Sequence, residues 1–281
     1  MSRPVSINVL NVSNVSFAVG KAVAGRNPTI TLKYDGQNLQ IKCPRIGYPG
    51  GCLVRTNDTG VTTHTLIGTL KGCDTYAKEP STDGSDVGMF YNFLTQLDES
   101  IVAAAVENSV KWFGKKRSLE AIRDSFKASL SVSSDKVDGE YIPNGKYPPS
   151  FRAKVPVYDN RVSAEVVDSS LNPVYVTPAN LQAVFPKGVE ANLVISGSIY
   201  VIAGGPFGVT WRVQKAQVYP RSRVMAADIF TADEDGAVEA DFETTETPAA
   251  ETVRPATPID QGVTEQVPAA PARKRRVAPA T

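Results

Sequence analysis

Residues 191–219 read ANLVISGSIYVIAGGPFGVTWRVQKAQVY, and the period of two in that run leaves few ways to fold it. Leu193, Ile195, Ile199 and Val201 fall on one face of an extended segment, with Asn192, Ser196, Ser198 and Tyr200 on the other. After the breaker run Gly204-Gly205-Pro206-Phe207-Gly208 the alternation resumes, with Val209, Trp211 and Val213 against Thr210, Arg212 and Gln214. Two strands joined by a glycine-rich reversal make a long hairpin, apolar on one side and polar on the other.

The rest of the chain reads mostly in the same idiom. Segments 5–10 and 15–19 are strand-like, and Asp35-Gly36 turns a compact hairpin between Ile30, Leu32, Tyr34 and Leu39, Ile41, Cys43. Residues 61–70 (VTTHTLIGTL) form a Thr-rich strand. From about Met89 the spacing becomes helical, with Phe90, Phe93, Leu94, Leu97, Ile101, Ala104 and Ala105 on one stripe. Gly114 stops that helix, and Ser118 with Glu120 opens a second one ending near Ala128. Tyr147-Pro148-Pro149 returns the chain to strand, with Phe151, Ala153, Val155 and Val157 alternating with Arg152 and Lys154. Asp159-Asn160 is a turn, and Thr177-Pro178 starts a short helix over 179–185. The expected fold is mainly β: an oligonucleotide-binding-type antiparallel Greek-key barrel, ahead of a sandwich, with a helical pair inserted over about 89–128.

Charge divides the 281 residues into two parts. Residues 1–225 hold 25 Lys and Arg against 18 Asp and Glu, a net of +7. Residues 226–265 hold one base and 11 acids, and Arg273, Lys274, Arg275 and Arg276 close the chain with a basic cluster. Past about Val224 the periodicity ends, so 226–281 is expected to be a disordered tail, acidic and then basic. A four-residue basic run of this kind reads as a nuclear-import signal or an auxiliary phosphate contact. No run is long and apolar enough to span a bilayer, and the first residues lack a basic-then-apolar signal, so no membrane partner and no secretion are expected.

Catalytic groups are sparse. His64 is the one histidine, mid-strand among threonines, and the expectation is a strand side chain facing solvent or a neighbouring Thr. Cys43, Cys52 and Cys73 are three in number and widely spaced, which fits reduced thiols rather than a zinc site. The loop 204–208 leads into a strand and lacks a following Lys-Ser/Thr, so it is a hairpin loop rather than a phosphate cradle. No enzyme, metal or cofactor is expected.

Cations and aromatics do cluster. Lys111, Trp112, Phe113, Lys115, Lys116 and Arg117 surround the helix break, Arg152 and Lys154 share the polar face of one strand, and Tyr200, Arg212 and Lys215 lie on the long hairpin. Bases stack on aromatic faces while cations track phosphates, so these residues are candidates for holding single-stranded nucleic acid, with Trp112 and Tyr200 as the stacking groups. Phe151 and Trp211 belong to the apolar faces and are expected in the core.

Several short blocks carry a family resemblance. Phe93, Leu97-Asp98-Glu99, Asn108-Ser109, Trp112-Phe113-x-Lys-Lys, Lys146-Tyr147-Pro-Pro-Ser-Phe151, Phe185-Pro-Lys-Gly188 and Gly204-Gly-x-Phe207-Gly208-x-Thr210-Trp211 occur in order over about residues 30–220. Together they resemble the single-stranded DNA-binding proteins of large nucleo-cytoplasmic DNA viruses, distant relatives of the podophage helix-destabilising protein. That resemblance implies a barrel that coats single strands in viral DNA replication, recombination and repair, in the host nucleus or a viral replication factory. It also implies an acidic tail that competes with DNA and docks viral replication proteins. Asp233, Glu234, Asp235, Asp241, Phe242 and Glu243 match such a tail, and a second copy of the chain is a further candidate partner. The continuation to Arg273–Arg276 departs from the phage-type acidic ending. The competing expectation is a structural β protein of a virion, which shares the β-rich composition but needs no cations along one sheet face.

Overall fold

The structure, a computed structural model, describes residues 3–21, 28–73 and 84–219. All of them lie in the compact unit Met1–Arg223, so the tail, its acidic run and its basic cluster fall outside the described residues. Ten strands carry the architecture: β1 (Val15–Val19), β2 (Ile30–Tyr34), β3 (Gln40–Lys42), β4 (Ile46–Tyr48), β5 (Cys52–Thr56), β6 (Thr62–Thr69), β7 (Ser150–Val155), β8 (Glu165–Val167), β9 (Val189–Val201) and β10 (Phe207–Tyr219). Helices α1 (Asp86–Glu107), α2 (Ser109–Phe113) and α3 (Leu119–Ser125) are inserted between β6 and β7, and α4 (Leu181–Val184) precedes β9.

Five of these strands close on one another. β9 pairs with β4 and β4 with β6; β6 pairs with β7, β7 runs parallel to β10, and β10 returns antiparallel to β9. In chain order the ring is first, second, third, fifth, fourth, with the one parallel contact between the third and fifth members. A closed ring of this order is an oligonucleotide-binding-type barrel and not a sandwich, and closure removes the sheet edges that would otherwise invite association.

The long hairpin supplies two of the five staves, as its alternation requires. Leu193, Ile195, Ile199, Trp211 and Val213 are buried, joined inside by Leu66, Phe151 and Ala153. Gly197 faces Trp211 across the pair, and a Cβ there would lie 2.7 Å from both the indole and Leu32. The missing side chain is what lets the indole cross the barrel interior. At Val194/Ile195 the register slips by one, so Gln214 is an extra residue on β10 and both it and Lys215 turn outward.

The helical insertion is built from the expected signals, with altered bounds. Ser85 Oγ accepts the Gly88 N–H at 2.9 Å, which starts α1 three residues earlier than the apolar stripe alone suggests. Gly114, at φ +73°, ends the helical run, and Ser118 Oγ accepts from Ala121 N–H to open α3. The pair is in fact a trio, because the backbone resets at Asn108 before α2. Residues 126–131 are not the end of a helix: Phe126–Lys127 pairs with β10 and Leu130–Ser131 with β7.

Further differences are local. Residues 5–10 keep only Val5–Ser6 as strand before a 3-10 turn at Ile7–Val9. The short helix begins after Asn180, whose N–H is accepted by Thr177 Oγ, so Pro178 lies before it. A two-stranded hairpin, Ser134–Val137 with Glu140–Pro143, was unforeseen. His64 does not face solvent: on β6 the threonines at 63 and 65 point out and the imidazole points in, 7% exposed.

Candidate nucleic-acid interface

The outward face of the barrel is set by pleat parity. On β7, Phe151, Ala153 and Val155 are buried, which forces Arg152 and Lys154 outward, about 6.6 Å apart along the strand. Lys154 sits in register with Arg212 on β10, where the strands are about 4.8 Å apart. Arg212 Nη1 donates to Ser198 Oγ at 2.7 Å, so the hairpin's hydroxyl face aims the guanidinium rather than leaving it to wander.

Two adjoining depressions, sharing Lys154, take up these side chains. A depression of about 610 Å³ brings together Lys127, Arg152, Lys154 and Tyr200, with the backbone turn at Ser129 and Ser131 along one side. Lys154 also lines a second depression of about 200 Å³, with Arg212, Tyr158 and the His64 strand. Ser131 belongs to a third, of about 490 Å³, which runs on past Tyr147 to Lys71. Among the described residues, no carboxylate lines any of the three. Lys127, Arg152, Lys154 and Arg212 form no ion pair among the described residues, in contrast to Arg45, Arg123 and Lys215, which are paired with Glu190, Glu99 and Glu165.

The trough floor is pinned from below by a buried polar chain. Trp211 Nε1 donates to Ser129 Oγ at 3.3 Å, and Ser129 donates both its hydroxyl and its backbone N–H to the Asp98 carboxylate, each at 2.7 Å. Burial pushes the Asp98 carboxyl up from its ordinary range to about 6, while the two Ser129 bonds pull it back. Gly208 completes the wall. It pairs with Lys127 and lies across from Tyr200, and a Cβ there would stand 2.6 Å from the Lys127 carbonyl oxygen and 3.3 Å from the Tyr200 hydroxyl. Tyr200 is half-buried, and that burial raises its phenol above the ordinary value.

The sequence candidates divide by place. Arg152, Lys154 and Tyr200 line the trough, and Arg212 lines the adjoining depression that shares Lys154. Lys111, Lys115 and Lys116 are exposed at α2 and its exit and line none of the three depressions; Arg117 lies 4.3 Å over the Phe113 ring. Trp112 is not a stacking platform. It is 1% exposed, edge-on to Phe17 at 5.8 Å and part of an aromatic chain through Phe113 to Phe207. Lys215 is held at 2.6 Å by Glu165, in a different depression. Asp233, Glu234, Asp235, Asp241, Phe242, Glu243, Arg273, Lys274, Arg275 and Arg276 lie outside the described residues.

Sequence reasoning missed Lys127, Lys71, Tyr158 and the Asp98–Ser129 anchor. Lys127 sits in a two-residue pairing too short to show a period, Ser129 lies in the bend between two such pairings, and Asp98 is a buried residue outside the apolar stripe of α1. Among the described residues no group of acidic, His and Cys side chains could hold a metal, and no helix is long and apolar enough to cross a membrane. Cys43, Cys52 and Cys73 are buried, and burial raises the Cys52 thiol to about 11 and Cys43 beyond it, which leaves both protonated.

No protein-family model and no curated protein matches this chain. Among solved structures the chain is similar to gp2.5, a single-stranded DNA binding protein encoded by bacteriophage T7, at 12% identity and TM-score 0.39, over 72% of this chain and 98% of that one. It is also similar to a single-stranded DNA-binding protein from bacteriophage Enc34. The C-terminally truncated form aligns at 12% identity and TM-score 0.37, over 73% and 95% of the two chains. The other form aligns at 11% and 0.35, over 76% and 99%. No protein of a large nucleo-cytoplasmic DNA virus is among these structures.

Proposed function

We propose that this chain is a non-catalytic, sequence-tolerant single-stranded DNA-binding protein that coats exposed strands during viral DNA replication, recombination and repair. The trough and the adjoining depression carry this reading. Lys127, Arg152 and Lys154 line the first with Tyr200, and Arg212 lines the second with Lys154. Among the described residues no carboxylate lines either, and none of the four cations has an ion-pair partner. Leaving like charges unneutralised is unfavourable in the free protein, and a polyanion relieves it. A ring and several phosphate contacts, without a base-edge reader, suit any sequence. The acidic run 226–265 would compete with the strand for these cations and offer a docking segment to viral replication proteins, in the host nucleus or a replication factory. The basic end at Arg273–Arg276 would then serve import or an added phosphate contact.

Titration of the full chain with oligo-dT at two salt concentrations tests the reading. Engagement of about four phosphates predicts a slope of log affinity against log salt near −3. Weak binding with no salt dependence, or binding no tighter than to duplex, rejects it. Truncation after Val224 should tighten binding if the acidic run competes; unchanged affinity would leave the trough reading intact and remove the tail from it.

A further inference from the structure

We infer that the recess beyond Ser131, walled by Pro49, Val132, Tyr147 and Pro148, is a nucleobase pocket for the strand that the trough binds. The inference rests on that reading and extends it to a site the cation pattern alone does not mark. Ser131 lines both the trough and the recess, so a strand leaving Arg152 and Tyr200 meets the recess next. Its volume of about 490 Å³ is lined by apolar groups, with Thr69, Ser131, Ser133 and Ser150 between them and Lys71 at its rim.

The walls are fixed before any ligand arrives. Leu70 N–H donates to the Pro149 carbonyl at 2.9 Å, tying the Tyr147-Pro148-Pro149 turn to the end of β6. Asn144 clamps the other side: its N–H donates to the Ser133 carbonyl, while its side-chain oxygen accepts from Ser133 Oγ at 2.6 Å and Lys146 N–H at 3.0 Å. Tyr147 is nonetheless 63% exposed and Val132 45%, an aromatic and an aliphatic surface held open to water. Rigid open aromatic surface lowers the cost of stacking, since little is ordered on binding.

Charge selects the occupant. Lys146 Nζ stands 5.9 Å from the centre of the Tyr147 ring, Lys71 lines the recess, and among the described residues no carboxylate does. A ring flanked by two cations suits a base with its phosphates. An apolar side chain from a second copy would fill the recess without using either lysine.

The test titrates full-length protein into a labelled oligo-dT of about 30 nucleotides, by fluorescence anisotropy, for wild type, Tyr147→Ala, Tyr147→Trp and Lys71→Ala. Tyr147→Ala should weaken binding about fivefold or more and Tyr147→Trp restore it, while Lys71→Ala lowers the salt slope by about 0.7. A strand of abasic sites should erase the difference between wild type and Tyr147→Ala. If wild type binds and Tyr147→Ala binds equally well, the recess is not a base pocket, although the trough stands. If Tyr147→Ala instead changes only the sedimenting mass, the recess is a contact between copies and the inference is overturned. Should wild type not bind at all, the functional reading itself has failed.

Discussion

Lys154→Ala removes one cation from the point where two depressions meet, and its effect can be worked out from that position. The side chain is exposed, makes no ion pair among the described residues, and faces Arg212 in register on the parallel strand. In the free protein its removal relieves a like-charge pair, so thermal stability should stay level or rise by about 1 °C. In the complex it removes one phosphate contact, and with it the release of about 0.7 counterion. Affinity should then fall about fivefold at 0.1 M salt, only about twofold at 0.4 M, and converge on wild type near 1 M. Anisotropy titrations across that salt series, with melting curves of the free proteins, read both effects. An equal loss at every salt concentration would show that Lys154 acts through packing or a specific hydrogen bond. A fall in melting temperature would show that the residue supports the fold, and either result refutes the reasoning.

Asp98→Asn should change how stability depends on pH. Because burial raises this carboxyl to about 6, the folded state holds its proton more tightly than the unfolded chain does. Its contribution is therefore greatest below about pH 4 and is lost as pH rises to about 6; the variant, compared with wild type by urea unfolding at pH 4.5 and 7, should gain relative stability at pH 7. Equal differences at the two pH values would remove Asp98 from that role. Gly208→Ala should lower the melting temperature more than Gly204→Ala, the first lying in β10 and the second in the turn before it. The first drives a Cβ to 2.6 Å from a backbone oxygen, costing about 1–3 kcal/mol, while at Gly204 only the left-handed φ of +67° is strained and nothing stands within 4 Å. Comparable melts for the two would contradict the close approach.

Much of the barrel was legible because one face of each strand is buried. Alternation in 191–219 and in 150–155 named both the inward Trp211 and Phe151 and the outward Arg152, Lys154 and Arg212. Capping signals at Ser118 and Gly114 worked for the same reason, being local physics. What failed was nonlocal. Trp112 and the lysines around it look like a strand-binding cluster in one dimension, yet the ring is spent on Phe17 and Phe113 and Lys111, Lys115 and Lys116 line none of the three depressions. Lys127 enters the trough only because a two-residue parallel pairing with Phe207 and Gly208 places it there. His64 follows strict parity with Leu66, and its Thr-rich neighbours concealed that.

The decisive comparison is between two triple variants of the full chain, Arg152→Ala/Lys154→Ala/Arg212→Ala and Lys111→Ala/Lys115→Ala/Lys116→Ala, each titrated with the same oligo-dT across a salt series that starts at about 0.1 M. Both remove three positive charges, so net charge cannot separate them. The barrel-face variant should lose about two in the magnitude of its salt slope and at least about a hundredfold in affinity, with the helix-break variant near wild type. The reverse order, or equal losses, would contradict the placement of the strand on the barrel trough.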